Sequence, residues 1–400
     1  MSLRKIKTGL KRNRFAFALL QPIYRAYRKR IMVQAQRELG VQPNKVTFSS
    51  FSCTRYADNP RYVSEKLHEL CPEADIVWLF SQQTLAKAKV PDYVRKVAAI
   101  SREGLVEQAT ARFWVDNYQR NETLYLNTDS QYYIQTWHGD RGFKRVGADN
   151  DHFRHEVYGT EKHCALMVAG SDFGRRVYRS AFRYEGPVLM DGCPRNDLLV
   201  NGDPALAARV RAALGVPEGT GLLLYAPTFR SEQIHGRQTG VLDIPRVLDH
   251  LEAKDGRPWR CLYRAHYWST GLDVARDARV QDATGYPEMA ELLLVSDMLI
   301  TDYSSCGGDF TLQRRPMFLY QPDVEAYLKD DRSFYFDMAE SPFLIAHSSE
   351  ELERLIDETD AQRARENCEA IDRFFGTSET GHAAESVCRF IMERMQKEGN

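Results

Sequence analysis

From Lys45 to Tyr320, short apolar runs alternate with stretches of helical periodicity, and nothing else in the 400 residues constrains the fold as much. A strand that is followed by a helix and then another strand returns to its sheet by a parallel crossover. The pattern therefore predicts parallel sheets with helices on their faces. Strands are predicted at Val46-Thr47-Phe48, Asp75 to Phe80, Arg112 to Asp116, Tyr132 running into His138, Ala165 to Ala169 and Val188 to Gly192. Asp58-Asn59-Pro60 is read as the cap of a helix through Leu70, and Ser171 as the N-cap of another through Phe182. Turn residues crowd Asn201 to Pro204 and Pro217 to Gly221, which marks a linker. The alternation then restarts with strands at Leu222 to Tyr225, Trp259 to His266, Asp297 to Thr301 and Pro316 to Tyr320. Helices are expected between them at Ile244 to Glu252, Pro287 to Val295 and Ser304 to Gln313. Past Glu350 the residues read as helices, one of them placed to cross back and brace the first half. The expected division is a basic segment at 1–40, doubly wound domains at 41–205 and 206–350 facing a cleft, and terminal helices at 351–400.

The formal net charge of −1 gives no global attraction to nucleic acid. Charge is unevenly placed, however. Basic residues crowd positions 4–37, and the first acid is Glu38. Leu20, Ile23, Tyr24, Tyr27 and Ile31 recur at helical spacing, interleaved with Arg25, Arg28, Lys29 and Arg30. This predicts a basic amphipathic helix lying on an anionic membrane surface, peripheral and on the cytoplasmic face. No apolar run of about 18 residues is present to span a bilayer. The eight cysteines form no C-x-x-C pair and no cluster with zinc-ligand spacing, so a reducing compartment and no metal are expected.

The strand ends carry the chemistry. His138-Gly139 follows an apolar run, and Arg141, Lys144 and Arg145 lie close behind it. An imidazole among cations can face an anionic substrate, remain neutral, and take a proton from an attacking hydroxyl. Thr228 and Arg230 end the Tyr225 strand, with the guanidinium suited to phosphate oxygens. Arg264 and His266 share one face by period-two spacing. Thr301-Asp302-Tyr303-Ser304-Ser305 precedes a helix opening on Gly307 and Gly308, where hydroxyls and backbone N–H groups favour an anion. These endings together predict a polar cleft built for phosphate chemistry. The absence of G-x-x-x-x-G-K-[ST] and G-x-G-x-x-G argues against a Walker nucleotide loop and a redox dinucleotide.

The strings Gln135-Thr136-Trp137-His138-Gly139, Tyr225-Ala226-Pro227-Thr228-Phe229-Arg230, Arg264-x-His266 and Leu299-Ile300-Thr301-Asp302-Tyr303-Ser304-Ser305 resemble the CDP-glycerol glycerophosphotransferase family. That family makes teichoic acids and related phosphate-containing capsular polymers. Asp58-Asn59-Pro60-Arg61-Tyr62, Gly192-Cys193-Pro194-Arg195-Asn196-Asp197 and Tyr335-Phe336-Asp337 fit as well, so the resemblance covers residues 45 to 340 in order. It implies a GT-B architecture, two Rossmann-like domains around a cleft. It further implies that CDP-glycerol or CDP-ribitol is the donor and that CMP is released. The acceptor would be a hydroxyl of a membrane-lipid-linked or polymer chain, and no metal or other cofactor would be needed. By the same resemblance Thr228, Arg230, Arg264, Asp302, Ser304 and Ser305 surround the diphosphate. His138 is the base for the acceptor, His266 assists the diphosphate, and Trp137, Gly139, Arg141 and Lys144 face the acceptor. The family commonly continues His-Gly with Thr-Pro-Leu-Lys-Lys, where this chain has Asp140-Arg141-Gly142-Phe143-Lys144-Arg145. It usually places an apolar pair before Asp-Phe, where this chain has Gly307-Gly308. A sugar-nucleotide glycosyltransferase of the same architecture and a non-catalytic membrane-bound scaffold are the competing readings.

Overall fold

The computed structural model describes residues 14–118, 126–150, 163–228, 242–265, 277–330 and 333–396. Arg230 and His266 lie outside the described residues. The first sheet comprises β1 (Gln42–Ser49), β2 (Asp75–Phe80), β3 (Arg95–Ala98), β4 (Ala111–Asp116), β5 (Tyr132–Gln135), β6 (Cys164–Val168) and β7 (Val188–Leu189). Its order is β3-β2-β1-β4-β5-β6-β7, and every pair is parallel. The second comprises β8 (Gly221–Ala226), β9 (Trp259–Tyr263), β10 (Val280–Asp282), β11 (Met298–Thr301), β12 (Met317–Tyr320) and β13 (Ile345–Ala346). It too is wholly parallel, in the order β10-β9-β8-β11-β12-β13.

Each sheet reverses its winding once. The reversal falls between β1 and β4 in the first and between β8 and β11 in the second. Loops leaving adjacent strands diverge at such a point and open a crevice at the carboxyl edge. The sequence supplies the rest: strands such as Ile76-Val77-Trp78-Leu79-Phe80 are apolar on both faces because helices cover both. Phe48 stacks on Trp78 with centroids 5.9 Å apart, and each fully buried ring contributes roughly 2–3 kcal/mol by area removed from water.

The helices that position the site are few. The helix α1 (Arg14–Leu39) docks through Met32 and Ala35, which are buried with Leu105 and Ala109. Helix α2 (Asp58–Leu70) and the terminal helix α3 (Ala383–Gln396) share one face of the first sheet, with Val63, Leu67, Val387, Cys388 and Ile391 in one cluster. The chain thus does cross back to brace its first half. None of the eight cysteines is in a disulfide. Among the described residues no helix is long and apolar enough to cross a membrane.

Three expectations shift. The strand predicted to reach His138 ends at Gln135, because Trp137 takes a left-handed φ of 50° that no strand continues. The strand predicted to reach His266 ends at Tyr263, leaving Arg264 on the loop beyond. The helix predicted from Ser304 to Gln313 is instead a short turn, Cys306–Phe310, that tightens into a 3-10 segment at Thr311–Gln313. The edge strands β3, β10 and β13 are short, and β3 reads Arg-Lys-Val-Ala, which carries no alternation to find.

A seam joins the halves. Lys144 pairs antiparallel with Phe334, flanked by Arg145 N–H to Ser333 O at 2.9 Å and Tyr335 N–H to Phe143 O at 2.9 Å. Phe143 meets Phe334, Phe336 and Phe343 edge-on, with centroids 5.4, 6.2 and 5.9 Å away.

Candidate active site

The loops leaving β1, β4 and β5 assemble around Asn117. Its backbone carbonyl lies 2.7 Å from His138 Nδ1, its Oδ1 accepts from Phe51 N–H at 2.8 Å, and its Nδ2 donates to Asp58 Oδ1 at 2.9 Å. A carbonyl oxygen can only accept, so Nδ1 carries the proton and the basic lone pair of the neutral ring is on Nε2. Asn59 holds the same loop from below. Its Nδ2 donates to the carbonyls of Thr136 and Trp137 at 3.1 and 2.9 Å, while Gln135 Oε1 accepts from Trp137 N–H at 2.8 Å. These bonds maintain the positive φ of Trp137, a conformation that a tryptophan does not hold unaided. Trp137 is half-buried, packed on the His138 ring at 4.3 Å and on Phe182 at 4.6 Å.

The second sheet contributes its own switch point. Asp302, buried after β11, accepts Thr228 N–H after β8 at 2.8 and 2.9 Å. Ser304 Oγ accepts the Cys306 N–H at 3.4 Å, and both serines are half-buried at the mouth of the turn. The two halves meet here. A β-carbon built on Gly142 would lie 3.3 Å from Ser305 Cβ, and one on Gly139 would lie 3.7 Å from Ser305 Oγ. The His-Gly loop is therefore apposed to the serine turn across the cleft. Arg264 donates from Nη1 to Tyr286 O at 2.6 Å. Burial above all, and Arg55 close by, bring its guanidinium down to about 10.

Arg141 was expected to face the acceptor. Instead its side chain has no exposed surface, and Nη2 donates to Asp309 Oδ1 and Glu379 Oε1, both at 3.0 Å. Arg195 reaches the same Asp309 with Nε at 3.1 Å, and Asn196 Nδ2 donates to Asp309 at 3.0 Å and Glu379 at 2.7 Å. Burial works to raise the Asp309 carboxyl, but Arg195 and Arg141 outweigh it and hold it below its ordinary range. Burial prevails at Glu379 and pushes it up to about 7 against the pull of Arg141 and Asn196. Lys144 sits half-buried on the seam. The structure thus brings His138, Trp137 and Gly139 together with Ser304 and Ser305, and places Thr228 and Asp302 as the brace behind them. Asn117 and Glu379 went unremarked in the sequence. Asn117 ends an unremarkable strand, and Glu379 lies 238 residues from the arginine it meets.

A family model described as CDP-glycerol:poly(glycerophosphate) glycerophosphotransferase matches residues 31–393. The teichoic acid poly(glycerol phosphate) polymerase of Staphylococcus epidermidis is 29% identical over 386 residues, covering 90% of this chain and 52% of that protein. The polymerase of the same description from Bacillus subtilis is 29% identical over 340 residues, covering 81% of this chain and 45% of that protein. The chain therefore spans about half the length of these two relatives. Among solved structures, a wall teichoic acid polymerase TagF variant soaked with CDPG superposes with a TM-score of 0.81 at 26% identity, covering 100% of both chains.

Proposed function

Because the chain belongs to the CDP-glycerol:poly(glycerophosphate) glycerophosphotransferase family, we propose that it transfers a polyol phosphate from a CDP-polyol to an acceptor hydroxyl, releasing CMP. Glycerol phosphate is the favoured unit, since the two relatives described above are named for it. The acceptor in this reading is a lipid-linked or polymer chain of the teichoic-acid or capsular kind.

The observation that carries the reading is the apposition of the His138 loop to the Ser304–Ser305 turn at the carboxyl edges of two facing parallel sheets. In the proposed step the acceptor O–H gives its proton to His138 Nε2. The acceptor oxygen bonds to the phosphorus that bears the polyol, and the bond from that phosphorus to the bridging oxygen breaks. The electron pair departs on CMP. The hydroxyls of the serine turn and the Arg264 cation balance charge on the diphosphate, so positioning and electrostatics lower the barrier. Arg230 and His266 are assigned to the diphosphate by their motifs alone.

We further assign residues 22–30 of α1 to an anionic membrane surface on the cytoplasmic side. Ile23 and Tyr27 are 66% and 56% exposed there, with Arg25, Lys29 and Arg30 also exposed around them. The test is CMP release from CDP-glycerol, CDP-ribitol and UDP-sugars, each with lipid-linked and polyol-phosphate acceptors. Acceptor-dependent CMP from one CDP-polyol supports the transferase. Nucleotide release from a UDP-sugar alone would move the chain to the glycosyltransferases, and silence with every donor would favour the scaffold.

A further inference from the structure

A cavity of about 450 Å³ opens beside the helix α4 (Asp172–Ala181), which follows β6, and none of its walls takes part in the step above. Arg175 and Arg179 line it. They stand one turn apart on one side of the helix, about 6 Å along its axis. Each guanidinium carries five N–H donors. Asp172, also in the wall, accepts from Arg175 Nη2 at 2.8 Å, and Glu185 accepts from Arg179 Nη1 at 2.9 Å. These carboxylates are 52% and 79% exposed, so the pairs are weak and readily exchanged for a stronger anion.

Two further polar atoms point to an anion. Arg175 Nε and Ser378 Oγ are buried and make no hydrogen bond among the described residues, and both residues line the cavity. A buried donor without an acceptor is costly, and a small turn of either side chain toward the cavity would let a phosphate oxygen satisfy it. Pro187, Val188 and Met190 also line the cavity, a surface for carbon rather than for charge. An oxyanion joined to short carbon units matches both kinds of lining. Buried bonds tie the cavity wall to the His138 loop. Ser171, which precedes the cavity-lining Asp172, donates to Asp140 Oδ2 at 2.7 Å, and Asp140 lies two residues past His138.

We propose that this cavity is a phosphodiester subsite that holds the part of a polyol-phosphate acceptor already built while the terminal hydroxyl lies at His138. The assignment rests on the transferase reading for its ligand, but its test does not need turnover. Labelled glycerol-phosphate oligomers of one, three and six units would be titrated into the full chain without donor, comparing wild type with Arg175→Gln/Arg179→Gln and with Ser378→Ala. Arg179 is exposed and Arg175 half-buried, and both are lightly paired, so equal melting temperatures are expected. Wild type should bind more tightly as the oligomer lengthens. The double variant should bind the hexamer about 10-fold more weakly, as expected for lost charge-assisted bonds, and bind the single unit unchanged. Ser378→Ala should show the same loss to a smaller degree. Equal hexamer affinity in wild type and double variant would overturn the subsite. Phosphatidylglycerol vesicles present the same glycerol phosphodiester. If the substitutions weakened vesicle binding alone, the acceptor-chain assignment would fall. Wild type that binds oligomers through these arginines yet releases no CMP would retain the subsite and sink the transferase reading.

Discussion

Gly308 lies against Arg141 so closely that a β-carbon added to the glycine would sit 2.6 Å from Arg141 Cβ. Both residues stand where this chain departs from its family's usual pattern, one after His-Gly and one after the double serine. The departures explain each other. A buried arginine that reaches Asp309 needs the space a second glycine leaves, and the guanidinium then neutralises two carboxylates. Gly308→Ala should cost about 1–3 kcal/mol, the usual range for overpacking a filled site. Urea unfolding measures it, and a loss below about 0.5 kcal/mol would mean that the Arg141 loop yields.

His138→Ala should lower kcat by about 10²-fold or more and remove the acidic limb of the kcat/KM profile, as loss of a general base does. Activity within a few-fold of wild type would end the assignment.

Asn117 acts through His138, which its carbonyl orients, so Asn117→Ala is a test of positioning. The substitution keeps the carbonyl but removes the bonds to Phe51 and Asp58 that hold it in place. A fall in kcat of about 10-fold is expected, with donor KM within about twofold, because a small misplacement of a base slows chemistry more than binding. A change in donor KM alone would count against it.

Glu379 gives stability a pH dependence of known sign. A carboxyl whose folded pKa is raised contributes fully below its unfolded value of 4.5, and that contribution is lost as pH climbs through about 7. Between pH 5 and 8, wild type should therefore lose on the order of 2–3 kcal/mol relative to Glu379→Gln, which mimics the protonated acid. Parallel stability profiles for the two proteins would show that the carboxyl titrates normally.

Replacing Arg25, Arg28, Lys29 and Arg30 with glutamine should weaken binding to phosphatidylglycerol vesicles by about 1 kcal/mol per charge, as read by cosedimentation. CMP release with a soluble acceptor should be unaffected. Unchanged vesicle binding would place the membrane contact elsewhere.

Much of the frame was legible because it follows from local chemistry. Apolar runs such as Asp75 to Phe80 can only be buried strands between helices. Ser171 caps its helix as its side chain requires, accepting Gly174 N–H at 2.9 Å. What escaped was whatever depends on distant partners. Arg141 reads as a surface cation until Asp309 and Glu379, 168 and 238 residues onward, arrive to bury it. Trp137 reads as one more strand residue until Asn59 and Gln135 bend the backbone beneath it. The apposition of Gly142 to Ser305 belongs to the pairing of two sheets, which no local pattern encodes.

The seam at Phe143–Arg145 has a kinetic meaning. Because the segment after His138 is paired in β fashion with Phe334, His138 is tethered to the half that carries Ser304 and Ser305. A swing of the two sheets would carry the histidine and the serines along together rather than pull them apart. In the proposed reaction the two are then aligned before a substrate arrives, and closure of the sheets is not what brings them together.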